Sequence, residues 1–209
     1  MKKVQLQRYS GAQRSNHWAV VACFVCAGIT GFALFHPALF WLSSLAGGPQ
    51  WTRILHPYLG IAMFLLFLVM FFTFAGANVW RKEDSAWLGS AGKLVSGGQV
   101  PAAGKYNAGQ KLVFWVFTLS LIVLLVTGLS FWQAWFAGSV PIGVQRIAVL
   151  LHAIAAFVLV LAVIVHAYAA IWVKGAVGAM VRGTVSAGWA KHHHLLWYRE
   201  LTQGRSPKA

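Results

Sequence analysis

Four histidines, His17, His56, His152 and His166, sit in long apolar stretches, where an ionisable side chain is costly and marks a functional candidate. Their depths pair them. His17 follows Arg14 by three residues and His56 follows Arg53 by three. His152 comes six residues after Arg146, and His166 eight before Lys174. If the stretches are helices that cross a membrane, His56 and His152 share one level and His17 and His166 the other. His152 and His166 are 14 residues apart, about 40° short of four full turns and about 21 Å along a helix axis. That spacing suits two stacked bis-histidine haems, since a haem iron takes axial ligands from opposite sides and imidazole is a common one. A ligated imidazole also stays uncharged. Taken singly, each residue could equally be a hydrogen-bonded helix histidine near an interface; two matched levels favour ligation.

The remaining chemistry-bearing residues read more plainly. His36, in Phe35-His36-Pro37, is a loop histidine. His192, His193 and His194 read as a solvated basic patch rather than a metal site. Cys23 and Cys26 form a C-x-x-C in an apolar stretch, without the electropositive surroundings a reactive thiolate needs, so they read as packing. Small residues near the histidines (Gly60, Ala156, Ala162, Ala170, Gly28 and Gly31) leave room for a porphyrin edge, but they would also let bare helices pack closely. Arg53 and Arg146 flank the outer pair and Arg14 the inner one; all three are candidate haem-propionate contacts. Interfacial snorkelling explains them equally well.

The elements that must position these residues follow from charge and length. The chain has 209 residues, 59% of them hydrophobic, with 17 Lys+Arg against 3 Asp+Glu and a formal net charge of +14. Its mean hydropathy is +0.67. A soluble nucleic-acid binder would carry such a charge on a polar surface, but only 10% of these residues are charged. Disorder and a disulfide scaffold are excluded by hydrophobicity and by having only two cysteines. Stretches without Lys, Arg, Asp or Glu run between Arg14 and Arg53, Arg53 and Arg81, Lys111 and Arg146, and Arg146 and Lys174. About 20 apolar residues cross a bilayer, so helices are expected at roughly 15–36, 52–78, 110–136 and 146–174, in one membrane domain covering 1–209. A cleavable signal peptide is rejected, because the first apolar run is long and no small-x-small site follows it.

Four spans put both termini on one side. Lys2, Lys3, Arg8 and Arg14, then Arg81, Lys82, Lys93, Lys105 and Lys111, then Lys174, Arg182, Lys191, Arg199, Arg205 and Lys208 share that face, which is 15 of the 17 basic residues. The positive-inside rule makes the face cytoplasmic. The fold class is therefore all-α: an integral membrane four-helix bundle with both termini cytoplasmic. Trp41, Trp51, Trp132 and Trp135 would mark the outer interface, and Trp18, Trp80 and Trp172 the inner one. Gly89, Gly92, Gly97, Gly98 and Gly104 suggest an irregular middle loop, and the tail 175–209 suggests amphipathic helical pieces on the cytoplasmic surface. No internal repeat is visible.

Several stretches, RILHPYLGIAMF (53–64), GKYNAGQK (104–111), LLVTGL (124–129), HAYAAIWVKG (166–175) and WAKHHHLLWYRE (189–200), resemble the cytochrome b gamma subunits of membrane-bound respiratory formate dehydrogenases, over nearly the whole chain. The resemblance implies two haems b, held by His56 with His152 and by His17 with His166. It also implies a menaquinone or ubiquinone site beside the inner haem. Asn107, by its side chain, and Gly109, by its backbone, are the carried-over quinone contacts, with Gln110 and Tyr106 weaker candidates. A helix-start turn accounts for Asn107 and Gly109 equally well without the resemblance. The implied partners are an iron–sulfur beta subunit and a catalytic molybdenum or tungsten alpha subunit, and a trimer of such units is suggested. Electrons would pass from the periplasmic iron–sulfur subunit through both haems to quinone, with protons taken from the cytoplasm. The chain would not itself oxidise formate, since it has no cluster-type cysteine set and no nucleotide loop. The sequence departs from the pattern at His194-Leu195-Leu196, where a proline is expected before Trp197, and in the arm up to Gln13.

Three other readings stand beside this one. A nickel–iron hydrogenase or thiosulfate reductase cytochrome b would use the same histidine logic with another partner. A proton-coupled transporter would need carboxylates in its spans, whereas Glu83, Asp84 and Glu200 all lie outside them. A haem-free anchor leaves the two histidine levels unexplained.

Overall fold

The computed structural model describes residues 4–95, 98 and 101–204. Lys2, Lys3, Gly97, Arg205 and Lys208, counted above, lie outside the described residues. Among the described residues, four helices are long and apolar enough to cross a membrane: α1 (Gly11–Phe35), α2 (Pro49–Phe74), α5 (Ala108–Ser130) and α6 (Ile142–Trp172). Between α2 and α5 lie α3 (Lys82–Gly89) and α4 (Gly92–Val95), where an irregular loop was expected. The tail forms α7 (Ala176–Arg182), α8 (Ala187–His193) and α9 (Leu195–Gln203), the expected helical pieces.

The long helices start where the sequence supplies partners for orphan N–H groups. Ser10 and Gln13 exchange hydrogen bonds of 3.0 and 3.2 Å ahead of α1, a capping box. Proline occupies the first position of α2, where its missing N–H costs nothing. Asn107 and Gln110 make a second reciprocal cap at α5, at 3.0 and 2.9 Å. His36 caps the short 3₁₀ helix Pro37–Ala46, its Nδ1 accepting from the Ala38 N–H at 3.2 Å.

One boundary differs notably from expectation. The third span ends at Ser130 rather than near 136. The Ser130 hydroxyl donates to the Thr127 carbonyl at 2.6 Å, and the following residues form tight turns that bring Trp132 against Trp135, Phe136 and Tyr58. Aromatic packing at the helix end replaces the last two helical turns. Two short strands also depart from an all-helical chain: β1 (Gln5–Gln7) pairs antiparallel with β2 (Thr184–Ser186), Leu6 opposite Val185. Gly183 permits this pairing. Its φ is +86°, a Cβ there would lie 2.7 Å from the Tyr9 carbonyl oxygen, and its own carbonyl accepts from the Arg8 and Tyr9 N–H groups.

The described residues divide into two compact units. One comprises 15–72 and 116–163; the other comprises the described parts of 4–14, 73–115 and 164–204. The first has a core of Met63, Phe67, Leu121 and Leu159, with Val20, Cys23 and Phe24 packed against it. Its outward positions carry bare apolar side chains, Phe72 at 75% exposed and Phe157 at 65%. Such exposure suits lipid and would be an aggregation hazard in water. The second unit centres on Ala179, Val185, Ala190 and Trp197.

Candidate functional site

Within the first unit, α2 carries His56 and α6 carries His152, and their ring centroids lie 6.2 Å apart. Subtracting two metal–imidazole bonds of about 2 Å each leaves about 1 Å per side, the radius of an imidazole ring. The separation therefore fits one metal atom held between the two rings. Pro57 follows His56 inside α2 and removes one helix hydrogen bond at the histidine's own turn.

Each ring is held from behind by a neighbouring helix. His56 Nδ1 lies 3.1 Å from the Thr30 hydroxyl and 3.2 Å from the Ala27 carbonyl, both on α1. His152 Nδ1 lies 3.0 Å from the Thr127 hydroxyl on α5, with the Leu124 backbone as a second partner. The next residue is glycine in both cases. A Cβ on Gly31 would lie 3.0 Å from His56 Cε1, and one on Gly128 3.2 Å from His152 Cε1. Only glycine lets the helix come this close to the ring without displacing it. The donor chemistry, the ring separation and the two glycine cradles all fit a haem iron. Thr30 and Thr127 are not among the site residues expected from the sequence. The signal was present as two Thr-Gly pairs, followed by a histidine 26 residues after Thr30 and 25 after Thr127.

The other predicted site residues fall on several elements. His17 lies on α1 with its ring 5.3 Å from that of Trp18, and the adjacent Asn16 ties α1 to α2 by donating to the Leu66 carbonyl at 2.9 Å. His166 lies on α6, the same uninterrupted helix as His152. His17 belongs to the first unit and His166 to the second. Arg53 and Arg146 are exposed, as a side chain reaching an anionic group at an interface would be. Arg14 donates to the Val181 carbonyl, so its guanidinium holds the tail.

The GKYNAGQK segment lies in the second unit. Tyr106 and Asn107 line a cavity of about 700 Å³ with Trp87, Lys105 and Trp197, and the chain's three carboxylates, Glu83, Asp84 and Glu200, line it too. Gly109 and Gln110 are not among the lining residues. Gly109 instead abuts Trp87, to which a Cβ would come within 3.4 Å. Asn107 Oδ1 and Gln110 Oε1 serve the helix cap, leaving the Asn107 amide N–H₂ as the donor a ligand could meet. Burial pushes the Tyr106 hydroxyl far above its ordinary pKa, with Tyr9 adding to the effect, so it stays a donor. Burial and then the neighbouring Arg8 charge lower the Lys105 pKa. Asp84 is buried in an ion pair with Lys111 at 2.6 Å. It also accepts from the Arg81 N–H, and Lys111 donates to the Val79 carbonyl.

The histidine run of the tail is not a uniform solvated patch. His192 is exposed, but His194 is 2% exposed. Its Nδ1 donates to the Gly104 carbonyl at 2.8 Å, and its Nε2 faces Arg8 Nη2 at 3.3 Å. Arg8 lies among the rings of Tyr9, Tyr106, Trp189 and Trp197 and also donates to the Lys105 carbonyl. Where a proline was expected, Leu195 opens α9, and the Leu196 N–H donates to the Ala103 carbonyl at 3.1 Å.

Comparison with known proteins gives concordant results. The family model for prokaryotic cytochrome b561 matches residues 8–183. The cytochrome b556(fdo) subunit of formate dehydrogenase from Escherichia coli strain K12 is 42% identical over 202 residues, 97% of this chain and 96% of that one. The cytochrome b556(Fdn) subunit of the nitrate-inducible formate dehydrogenase of the same strain is 41% identical over 209 residues, covering 99% and 96%. The formate dehydrogenase cytochrome b556 subunit of Haemophilus influenzae is 40% identical over 195 residues, covering 92% and 82%.

Proposed function

The chain belongs to the prokaryotic cytochrome b561 family, and on that premise we propose that it is the cytochrome b subunit of a formate dehydrogenase, reducing quinone near the cytoplasmic side of the membrane. It is a multi-pass protein of a bacterial inner membrane. Two haems b, when bound, supply iron that exchanges single electrons, linking a periplasmic iron–sulfur subunit to menaquinone or ubiquinone. His56 and His152 hold the outer iron, and His17 and His166 the inner one. Arg53 and Arg146 offer cations to the outer propionates. The basic residues of the termini and the middle loop set the topology, with both termini cytoplasmic.

The quinone site draws on Tyr106, Asn107, Gly109 and Gln110. The Asn107 amide is a hydrogen-bond donor suited to a quinone carbonyl, Gly109 offers its backbone N–H, Gln110 fixes Asn107 through the helix cap, and Tyr106, its hydroxyl bonded to Tyr9, lines the cavity. Glu83 and Asp84 from α3 and Glu200 from α9 line the same cavity as Tyr106 and Asn107. Formate oxidation belongs to a catalytic molybdenum or tungsten alpha subunit, reached through the iron–sulfur beta subunit.

The observation that carries this reading is the facing pair of imidazoles at 6.2 Å, each with a glycine cradle. The test is the haem content and redox difference spectrum of the chain purified with its partners. Two b haems per chain support the proposal. One per chain removes the His17/His166 pair, and none overturns it. Co-purification of a nickel enzyme in place of a molybdenum or tungsten one would transfer the same chemistry to a hydrogenase.

A further inference from the structure

Histidine has two ring nitrogens, and which one carries the proton is decided by what the other groups can accept. The Thr30 hydroxyl has a single proton, and it lies 2.9 Å from the Cys26 carbonyl and 3.0 Å from the Ala27 carbonyl. A carbonyl only accepts, so the proton goes there. The Thr30 oxygen is then left to accept from His56 Nδ1, and the Ala27 carbonyl, 3.2 Å from the same nitrogen, can only accept as well. Thr127 repeats the arrangement. Its hydroxyl donates to the Val123 carbonyl at 2.6 Å and accepts from His152 Nδ1 at 3.0 Å. Both rings are therefore in the Nδ1–H form, with Nε2 bearing a free lone pair. Neither Nε2 makes a hydrogen bond among the described residues.

We propose that Thr30 and Thr127 are positioning residues for the outer haem: each holds its histidine as the Nδ1–H tautomer with Nε2 aimed at the iron, and together they lower the potential of that haem. The inference rests on the haem reading given above. A hydrogen bond accepted from Nδ1–H makes the imidazole a stronger donor to the metal. A stronger donor stabilises the ferric state. The device is built twice, α1 serving α2 and α5 serving α6, and in each copy the threonine sets the ring while the following glycine provides clearance for it.

Valine keeps the shape of threonine and removes the acceptor, whereas serine keeps the acceptor. The intact complex is prepared with Thr30→Val, Thr127→Val, both together, and the matching serine variants. The readouts are the midpoint potential of each haem, the low-spin ferric EPR signal and the haem content per chain. The outer haem is identified as the one lost in His152→Ala. The expected result is a rise in its potential in each valine variant. A tenfold shift of the redox equilibrium would read as about 59 mV for one electron. The serine variants should stay at the wild-type value and the inner haem should be unchanged. Loss of the outer haem in the valine variants with retention in the serine variants gives the same support, since removing such a partner typically weakens metal binding about 10–100-fold. An unchanged or lowered outer potential, or equal haem loss in valine and serine variants, would overturn the inference. A wild-type complex without haem would instead overturn the functional reading.

Discussion

His194 is buried and the His56/His152 pair half-buried, and all three hold their Nδ1 protons on a neighbouring oxygen, yet their second nitrogens meet different neighbours. In the second unit the Nε2 of His194 accepts from Arg8, so the ring has no lone pair left to offer. In the first unit the two Nε2 atoms are left to a ligand. The same residue is thus a structural fastener in one place and a metal-ligand candidate in the other. The difference comes from one neighbouring group, a guanidinium against a second imidazole. Depth of burial does not mark the ligand, since the more deeply buried ring is the fastener; an account of both nitrogens separates the two roles.

The largest expected effect breaks the comparison directly. His56→Ala or His152→Ala should halve the haem content of the complex, measured per chain as pyridine haemochrome, while His194→Ala should leave both haems in place. Halved content in His194→Ala would mean that the distinction drawn here is wrong. A second, smaller effect probes the polar unit by itself. Lys111→Met strands Asp84 in a buried site, and breaking such a pair costs about 3–5 kcal/mol. Protease sensitivity of the segment between α2 and α5 should rise, while the optical spectrum of the outer haem stays as in the wild type.

Much of this site was legible in the sequence, for physical reasons that can be named. The four histidines stand out because lipid makes each one costly, and the spans stand out because charge is absent for 20 residues and more. Thr30 and Thr127 did not stand out. Threonine is unremarkable in a membrane helix, and its role depends on a histidine that only helix packing brings to it. His194 misled for the same reason: three adjacent histidines in a basic tail read as solvated, but Arg8, 186 residues away, closes over the third. The C-x-x-C shows the opposite case. Cys23 packs against the core with Met63 and Phe67, as an apolar setting suggested, whereas Cys26, also expected to be packed, is exposed; both thiols are free. The early end of α5 was not legible, because it depends on how Trp132, Trp135 and Phe136 pack rather than on any breaker residue.

A subtler change sharpens the comparison from the ligand side. In Gly31→Ala the new Cβ would press on His56 Cε1 at 3.0 Å, and in Gly128→Ala on His152 at 3.2 Å. Overpacking of this kind costs about 1–3 kcal/mol. Both variants should broaden the ferric EPR signal of the outer haem, Gly31→Ala more than Gly128→Ala. Equal and negligible effects would mean that the rings have slack and that the glycines serve helix packing alone.

The smallest effect belongs to the fastener. Burial first, and then the Arg8 charge, lower the pKa of His194 from 6.5 to about 3. The unfolded chain therefore binds a proton between those values that the folded chain refuses. Stability from this contact is complete above pH 6.5 and falls as the pH drops toward 3. The slope in that window is at most one proton, about 1.4 kcal/mol per pH unit. Of the other groups around the ring, Lys105 carries a pKa lowered from 10.5, and His193 is also lowered, by burial, His192 and Arg8. Unfolding of the detergent-solubilised complex, followed by tryptophan fluorescence at pH 7 and pH 5, should show a loss of stability in the wild type. Most of that loss should vanish in His194→Gln, whose amide can still donate to the Gly104 carbonyl and accept from Arg8 without titrating. An undiminished loss in that variant would assign the titration to His193 and leave His194 as packing alone.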